Sequence, residues 1–284
     1  MDKSSKSKTR LINYLLVLAL AILVAVWAAV FRGAEANPEL SSSQIYFLDV
    51  GQGDSALLSL PQSTQVLIDA GRDGKTVERI AEAMPFFDRK IEFVVISHFD
   101  SDHVGGLDEV MLSYDIDQII IATAQKDQKE AQELVAKVDK NKTDIKYVSR
   151  SDSVYFRAPV KGVVLWPEAK TEGLKDNDLS LVMQILGAGK KVLMMGDIEN
   201  KGQLYLFAKN EISDLDTDVL KFPHHGAGGA FSEKLFELTT PEKVIISVGK
   251  NSYGHPSGTL IDFLKNKIIE FVRTDEAGTV RVGL

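Results

Sequence analysis

The sequence predicts an α/β chain: two sheets with helices on their outer faces, behind one N-terminal membrane-spanning helix. Three observations predict this. An apolar run occupies residues 11–31. From residue 44 the hydrophobic period switches repeatedly between two and 3.6, with strands first and last and helices between them. All five histidines of the 284 residues stand in glycine-punctuated loops just beyond strand-like segments.

The N-terminal run, "LINYLLVLALAILVAVWAAVF", is about 21 nearly uninterrupted apolar residues, about 30 Å as a helix and enough to span a bilayer. A buried soluble helix would normally keep a polar face, and this one has none. Lys3, Lys6, Lys8 and Arg10 make residues 1–10 a basic tail that stays cytoplasmic, which sends the C-terminal domain outside. "AEA" at 34–36 leaves secretion after signal cleavage as the alternative, although the run exceeds the usual signal core of about 7–15 residues. Residues 32–43 read as a linker of small and turn-forming residues, and 44–284 as the folded domain.

Composition narrows the classes. The 44% hydrophobic and 26% charged fractions exclude a disordered chain. Residues 1–32 carry five Lys/Arg and one Asp, so the remainder holds 28 basic against 39 acidic residues, a net of −11. Such a domain is a poor generic polyanion binder unless a local basic groove or bound divalent metals reverse its field. With no cysteine, disulfides, thiolate catalysis and Cys-type zinc sites are excluded.

The elements follow in order. "QIYFLDV", "SALLSL" and "QVLIDAG" are strands parted by turns, and "KTVERIAEAM" is a helix ended by Pro85. Strand "IEFVVIS" leads into helix "VGGLDEVMLSY", strand "DQIIIAT" into the charged helix "KDQKEAQELVAKVDK". Three short β segments fill 145–166, and "GAGK" joins "LSLVMQIL" to "KKVLMMG" as a hairpin. Helix "ENKGQLYLFAKN", strand "DVLKF", helix "FSEKLFELT", strand "KVIISVG" and helix "SGTLIDFLKNK" precede the closing strands "IIEFVRT" and "GTVRVGL". No repeat of 20–50 residues is present.

"HFDSDHVGG" places His98, Asp100, Asp102 and His103 within six positions, imidazole nitrogens beside hard carboxylate oxygens. Alternation puts residues 98, 100 and 102 on one side of an extended segment, with His103 turning in where the helix begins. Helix capping alone would need one aspartate and no histidine. His224 and His225 in "PHHGAGG" and His255 in "YGHPS" complete the histidines. Asp197 before "IENKG" reads equally well as a helix N-cap. "DVGQGDS" suits a tight turn whose Asp49 and Asp54 orient ligands. "GRDGKT" is not a phosphate loop, because Asp69 stands where its first glycine is required.

These motifs together resemble the metallo-β-lactamase superfamily. "HFDSDHVGG" is similar to its HxHxDH signature with Asp100 at the second histidine, a form similar to the hydrolase domain of ComEC-type DNA-uptake proteins. "FLDVGQGDSALL" resembles that subfamily's opening motif and "LIDAG" its second strand, and "NDLSLVMQI", "MMGDIE", "LKFPHHGA", "YGHPS" and "RTDEAGTV" resemble its later motifs in order. The resemblance implies a four-layer αββα sandwich holding one or two divalent ions, zinc or manganese. It implies His98, Asp100, Asp102, His103, Asp197 and His255 as ligands, Asp197 bridging, with one of His224 and His225 completing the set. Asp102 and His225 are the candidate catalytic groups, and Asn177, Ser180 and Lys221 the candidate substrate contacts. The usual third-motif histidine is absent between His103 and Asp197, which makes one metal position richer in oxygen. The implied reaction is hydrolysis of a phosphodiester or other small substrate, with single-stranded DNA as a partner and a metal-acidified water as nucleophile. A β-lactam or thioester hydrolase, or a non-catalytic module for a phosphorylated polymer, are the alternatives. The many-helix channel that accompanies ComEC domains has no counterpart in these residues.

The outward orientation has a direct test. Protease added to intact cells, or to spheroplasts where an outer membrane exists, is expected to digest residues 44–284. Protection alongside cytoplasmic markers would overturn it.

Overall fold

The computed structural model describes residues 12–27, 42–139, 142–187 and 189–284. The chain divides into two compact units, residues 1–41 and 42–284. In the first, residues 12–27 are helical, and among the described residues no helix is long and apolar enough to cross a membrane. Residues 11 and 28–31 of the expected span lie outside the described residues. The basic tail 1–10 and linker residues 32–41 lie outside the described residues.

The second unit is built on fourteen strands in two seven-stranded sheets. The first sheet contains β1 (Gln44–Phe47), β2 (Ala56–Leu60), β3 (Thr64–Ile68), β4 (Lys90–Val95), β5 (Asp115–Ala122), β6 (Asp144–Val148) and β14 (Val280–Gly283), in the order β14-β1-β2-β3-β4-β5-β6. The second contains β7 (Ser153–Arg157), β8 (Val160–Trp166), β9 (Val182–Leu186), β10 (Lys191–Met194), β11 (Val219–Lys221), β12 (Lys243–Ile246) and β13 (Glu270–Arg273), in the order β13-β12-β11-β10-β9-β8-β7. Each sheet has three antiparallel pairings on one side and three parallel ones on the other.

The period of two explains the layers. Val66, Ile68, Val95, Ile120 and Ala122 face Met183, Ile185, Val192 and Met194 in a core between the sheets. Their neighbours Leu67, Val94, Ile119 and Ile121 face outward, onto Ile80, Leu107, Val110 and Leu134 of the flanking helices. Leu193, Leu220, Val244 and Ile246 do the same on the second sheet against Leu206, Leu235, Leu260 and Leu264. Strands buried on both faces read as continuous apolar runs, as "VVI" and "QIIIA" do. At about 1.5–3 kcal/mol per fully buried apolar side chain, these three cores drive the fold.

The sequence reading of the elements needs three adjustments. The segment "VGGLDEVMLSY" with the residues before it forms two helices, Ser101–Val104 and Leu107–Ser113, because Gly106 breaks away to donate its N–H to the Gly71 carbonyl at 3.1 Å. A helical turn, Thr274–Ala277, separates β13 from β14. A further short helix, Ile212–Leu215, follows Asn200–Lys209. The last strand returns to the first sheet, Gln44 opposite Gly283, so the chain's far end fixes the domain's first strand.

Candidate metal centre

Parallel strands send their carboxyl ends to one edge of a sheet, and both sheets do so at the same mouth. From the first sheet, β3 leads to Asp69 and β4 to Ser97, His98 and the helix Ser101–Val104. From the second, β10 leads to Asp197, β11 to His224 and His225, and β12 to His255. The sheets are stitched there: Leu181 donates its N–H to the Ser97 carbonyl at 2.8 Å, and the Gln125 amide donates to the carbonyls of Ser97 and Leu179. Gly196, at φ 51°, makes the approach feasible, since a Cβ there would lie 2.8 Å from Ser180 Cβ.

His98 and His103 are fully buried. His103 Nδ1 donates to Asp69 at 2.9 Å, and His98 Nδ1 donates to Ser97 Oγ at 3.0 Å, which in turn donates to Asp69 at 2.6 Å. His225 Nδ1 donates to the Ser247 carbonyl at 3.0 Å and stands 3.2 Å from Asp54. His224 Nδ1 donates to Glu199 at 3.1 Å. With every Nδ1 so occupied, four imidazoles turn Nε2 towards Asp197: His103 at 3.2 Å, His225 at 3.5 Å, His224 at 3.7 Å and His98 at 4.0 Å. His225 also lies 3.4 Å from Asp102. Consecutive left-handed residues, His224 (φ 50°) and His225 (φ 52°), aim two rings from one loop, a backbone cost of about 1–3 kcal/mol each that is characteristic of functional sites. His255 closes the rim, its ring 5.4 Å from that of His224.

The donor set fits divalent ions. The buried Nε2 atoms of His98, His103 and His225, with Asp197 Oδ1, have no hydrogen-bond partner. Such atoms are costly unless something ligates them. Donor atoms of His98, His103 and Asp197 lie within 4.8 Å of one another, as do those of Asp102, His103 and His225. These are spacings an ion with ligands at about 2.0–2.2 Å can draw together. Asp100 stands at the cap position of its helix but makes no capping bond, and its carboxylate lies 3.6 Å from His98 Nε2. Asp197 is not a cap: the helix Asn200–Lys209 takes Glu199 there, leaving Asp197 to the centre.

The electrostatics are those of a cation site. Burial alone would raise the Asp197 carboxyl, but His103, His225 and His98 hold it well below the usual range. Burial would likewise raise Asp102, and His225 and His103 overcome it and keep it ionised. On the imidazole side, burial opposes charge, yet Asp197 and Asp69 lift His103 well above its ordinary value. Against the same opposition, Asp197, Asp54 and Asp102 push His225 up to about 9.

Two of the expected substrate contacts are placed elsewhere. Ser180 is fully buried, and its Oγ accepts the Asp197 N–H at 3.1 Å, so it positions that carboxylate. Lys221 is 1% exposed and ion-paired to Asp54, beneath the histidines. Asn177 remains at the surface, in a cleft with Asp100 and Glu199. Asp54 does face His225, but Asp49 pairs with Lys75 and Arg79 at 3.4 and 3.7 Å, away from the centre. Asp69, Ser97 and Glu199 escaped the sequence reading; a lone Asp ending the apolar strand "VLID" was the available signal for the first. The rejected "GRDGKT" segment supplies Arg72, 3.7 Å from Asp102. Above the ligands opens a cleft of about 370 Å³ lined by Gln52, Arg72, Asp102, His224, Tyr253 and His255, among others.

A family model described as the metallo-beta-lactamase superfamily matches residues 48–250. The chain belongs to the metallo-beta-lactamase superfamily, whose members are in general metal-dependent hydrolases. Among curated proteins it is similar to ComE operon protein 3 of Bacillus subtilis, 27% identical over 259 residues, covering 85% of this chain and 33% of that one. It is also similar to competence protein ComA of Neisseria gonorrhoeae, 27% identical over 252 residues, covering 88% and 33%. The chain thus spans about a third of the length of these relatives. Its fold resembles the crystal structure of YhfI, a metallo-beta-lactamase fold protein from Bacillus subtilis, with TM-score 0.54, 12% identity and coverage of 81% and 95%.

The raised pKa of His225 sets a pH dependence. Its proton stabilises the metal-free fold fully below about pH 6.5, and that contribution is lost as pH rises through about 9. The denaturation midpoint of chelator-treated protein is therefore expected to fall between these values, less so in His225→Asn. Metal affinity should rise over the same interval as the competing proton leaves. A pH-independent metal affinity from 6.5 to 9 would contradict this assignment.

Proposed function

We propose that this protein is a metal-dependent phosphodiesterase acting on single-stranded polynucleotide, held to the membrane by residues 11–31 with its domain on the outer side. The observation that carries the hydrolase reading is the set of buried, unpartnered donor atoms at the floor of an open cleft. The similarity to competence proteins and the arginine at the rim support a phosphodiester over a β-lactam. The unbroken apolar run and its basic flank support the anchor.

His98, Asp100, Asp102, His103, Asp197, His225 and the rim histidines His224 and His255 would hold one or two divalent ions, zinc or manganese. Such ions supply Lewis acidity and an acidified water. The protein's own groups do the rest. Asp102 stays anionic and accepts a hydrogen bond from the attacking water, orienting it. Ser247 and Asp54 fix His225 so that its Nε2 stands beside Asp102, where both would face the same ion. Arg72 meets the charge on the phosphoryl oxygens from the open rim. Asp69 and Ser97 lock the two deepest rings so that no reorientation is needed during reaction.

His98→Ala and Asp197→Ala are each expected to lower hydrolysis of a chromogenic phosphodiester by more than the ~10–100-fold typical of an outer-shell change, with reduced bound metal and an intact fold. Near-normal turnover in either would mislocate the site. Activity on a β-lactam with none on the diester would favour the alternative chemistry.

The oxygen-rich Asp100 position favours manganese turnover even where zinc binds more tightly. Reconstitution of the metal-free protein with Mn²⁺ should restore at least the Zn²⁺ rate, and Asp100→His should move the preference towards zinc. Zinc outperforming manganese, unchanged by Asp100→His, would show that this carboxylate does not select the metal.

A further inference from the structure

The metal cleft continues on one side into a second cleft of about 400 Å³, lined by Gln52, Arg72, Lys250, Asn251, Ser252 and Tyr253. Gln52, Arg72 and Tyr253 line both. This arm carries two cations and no carboxylate. On the other side, the metal cleft meets a third through Asp100, and that one is lined by Lys175, Asn177 and four acidic residues, Asp100, Asp176, Asp178 and Glu199. The mouth is therefore polarised: positive towards Lys250, negative towards Glu199.

The positive arm is also preformed. The Asn251 side chain donates to the carbonyls of Gly249 and His255 at 2.9 and 2.8 Å and accepts the N–H groups of Tyr253 and His255, both at 3.1 Å. Gly249 donates its N–H to Gln52 at 3.3 Å, tying this loop to the turn that carries Asp54. A loop so braced nevertheless holds a large aromatic ring in water: Tyr253 is 66% exposed, its ring 5.8 Å from that of His255. Lys250 is exposed beside it with no carboxylate partner among the described residues. An exposed ring beside the unpaired Lys250, on the side of the mouth where Arg72 stands, supplies the elements of single-strand recognition, stacking for a base and charge for the backbone.

Building on the phosphodiesterase reading, we infer that the Lys250–Tyr253 arm, entered past Arg72, is a subsite for the strand on one side of the scissile phosphate, a base stacking on Tyr253 and the next phosphate meeting Lys250. The acidic side offers an anionic strand no equivalent. The strand is thus held on one side of the cut, by the arm. The arm also answers how so acidic a domain engages a polyanion, by confining positive field to one groove.

Steady-state kinetics on the full-length, metal-loaded protein test this, with a chromogenic diester and single-stranded oligonucleotides of two to ten residues. KM is expected to fall with length over the first few residues and then level off. Tyr253→Ala should raise KM for the longer strands about 10-fold and flatten the length dependence, with Tyr253→Phe restoring it. Lys250→Ala should make the slope of log KM against log salt shallower by about 0.7. No hydrolysis of either substrate would remove the phosphodiesterase reading itself. Hydrolysis of the diester with a length-independent KM, or unaltered Tyr253→Ala kinetics, would overturn the subsite alone.

Discussion

Five carboxylates, those of Asp54, Asp69, Asp100, Asp102 and Asp197, meet around one mouth, and the fixed cations facing them are Lys221 and Arg72. The rest of the site depends on that imbalance. Uncompensated buried anions are costly, so His103 and His225 are drawn to the charged form and turn their Nε2 atoms inward. A divalent ion answers the same field better than protons do. Lys221 is the permanent part of the compensation: fully buried, it neutralises Asp54, which leaves that carboxylate to orient His225.

The fold brings these charges together by using one sheet plan twice. In each sheet the parallel half presents its carboxyl ends at the same edge, where short loops replace ladder hydrogen bonds. Loops anchored on rigid strand ends place side chains accurately. Stitching by Leu181, Gln125 and Gly196 then holds the two edges at hydrogen-bonding distance. Ligands separated by more than 150 residues in the chain are thereby held as firmly as neighbours.

The asymmetry of the rim gives the centre direction. A symmetric acidic mouth would repel a polyanion from every approach, whereas Arg72 and Lys250 open one approach beside an exposed aromatic ring. The same braced loop that carries Tyr253 carries His255, so the proposed subsite and the histidine rim share one segment.

By itself, the sequence determined the layered α/β class and the grouping of chemistry at strand ends. Strand alternation, helical spacing and the rarity of histidine are local properties, and "HFDSDHVGG" concentrates four donors within six residues. Tertiary structure alone decided what those donors face. Asp69, Ser97 and Glu199 are ordinary residues in the sequence, and they matter because Asp69 and Ser97 stand behind His103 and His98, and Glu199 behind His224. Asp197 was ambiguous between cap and ligand until the helix start fell at Asn200. Ser180 and Lys221 looked available to substrate, and packing buried both. Burial and orientation at a site arise where distant strand ends converge, and no local pattern encodes the distance between two sheets.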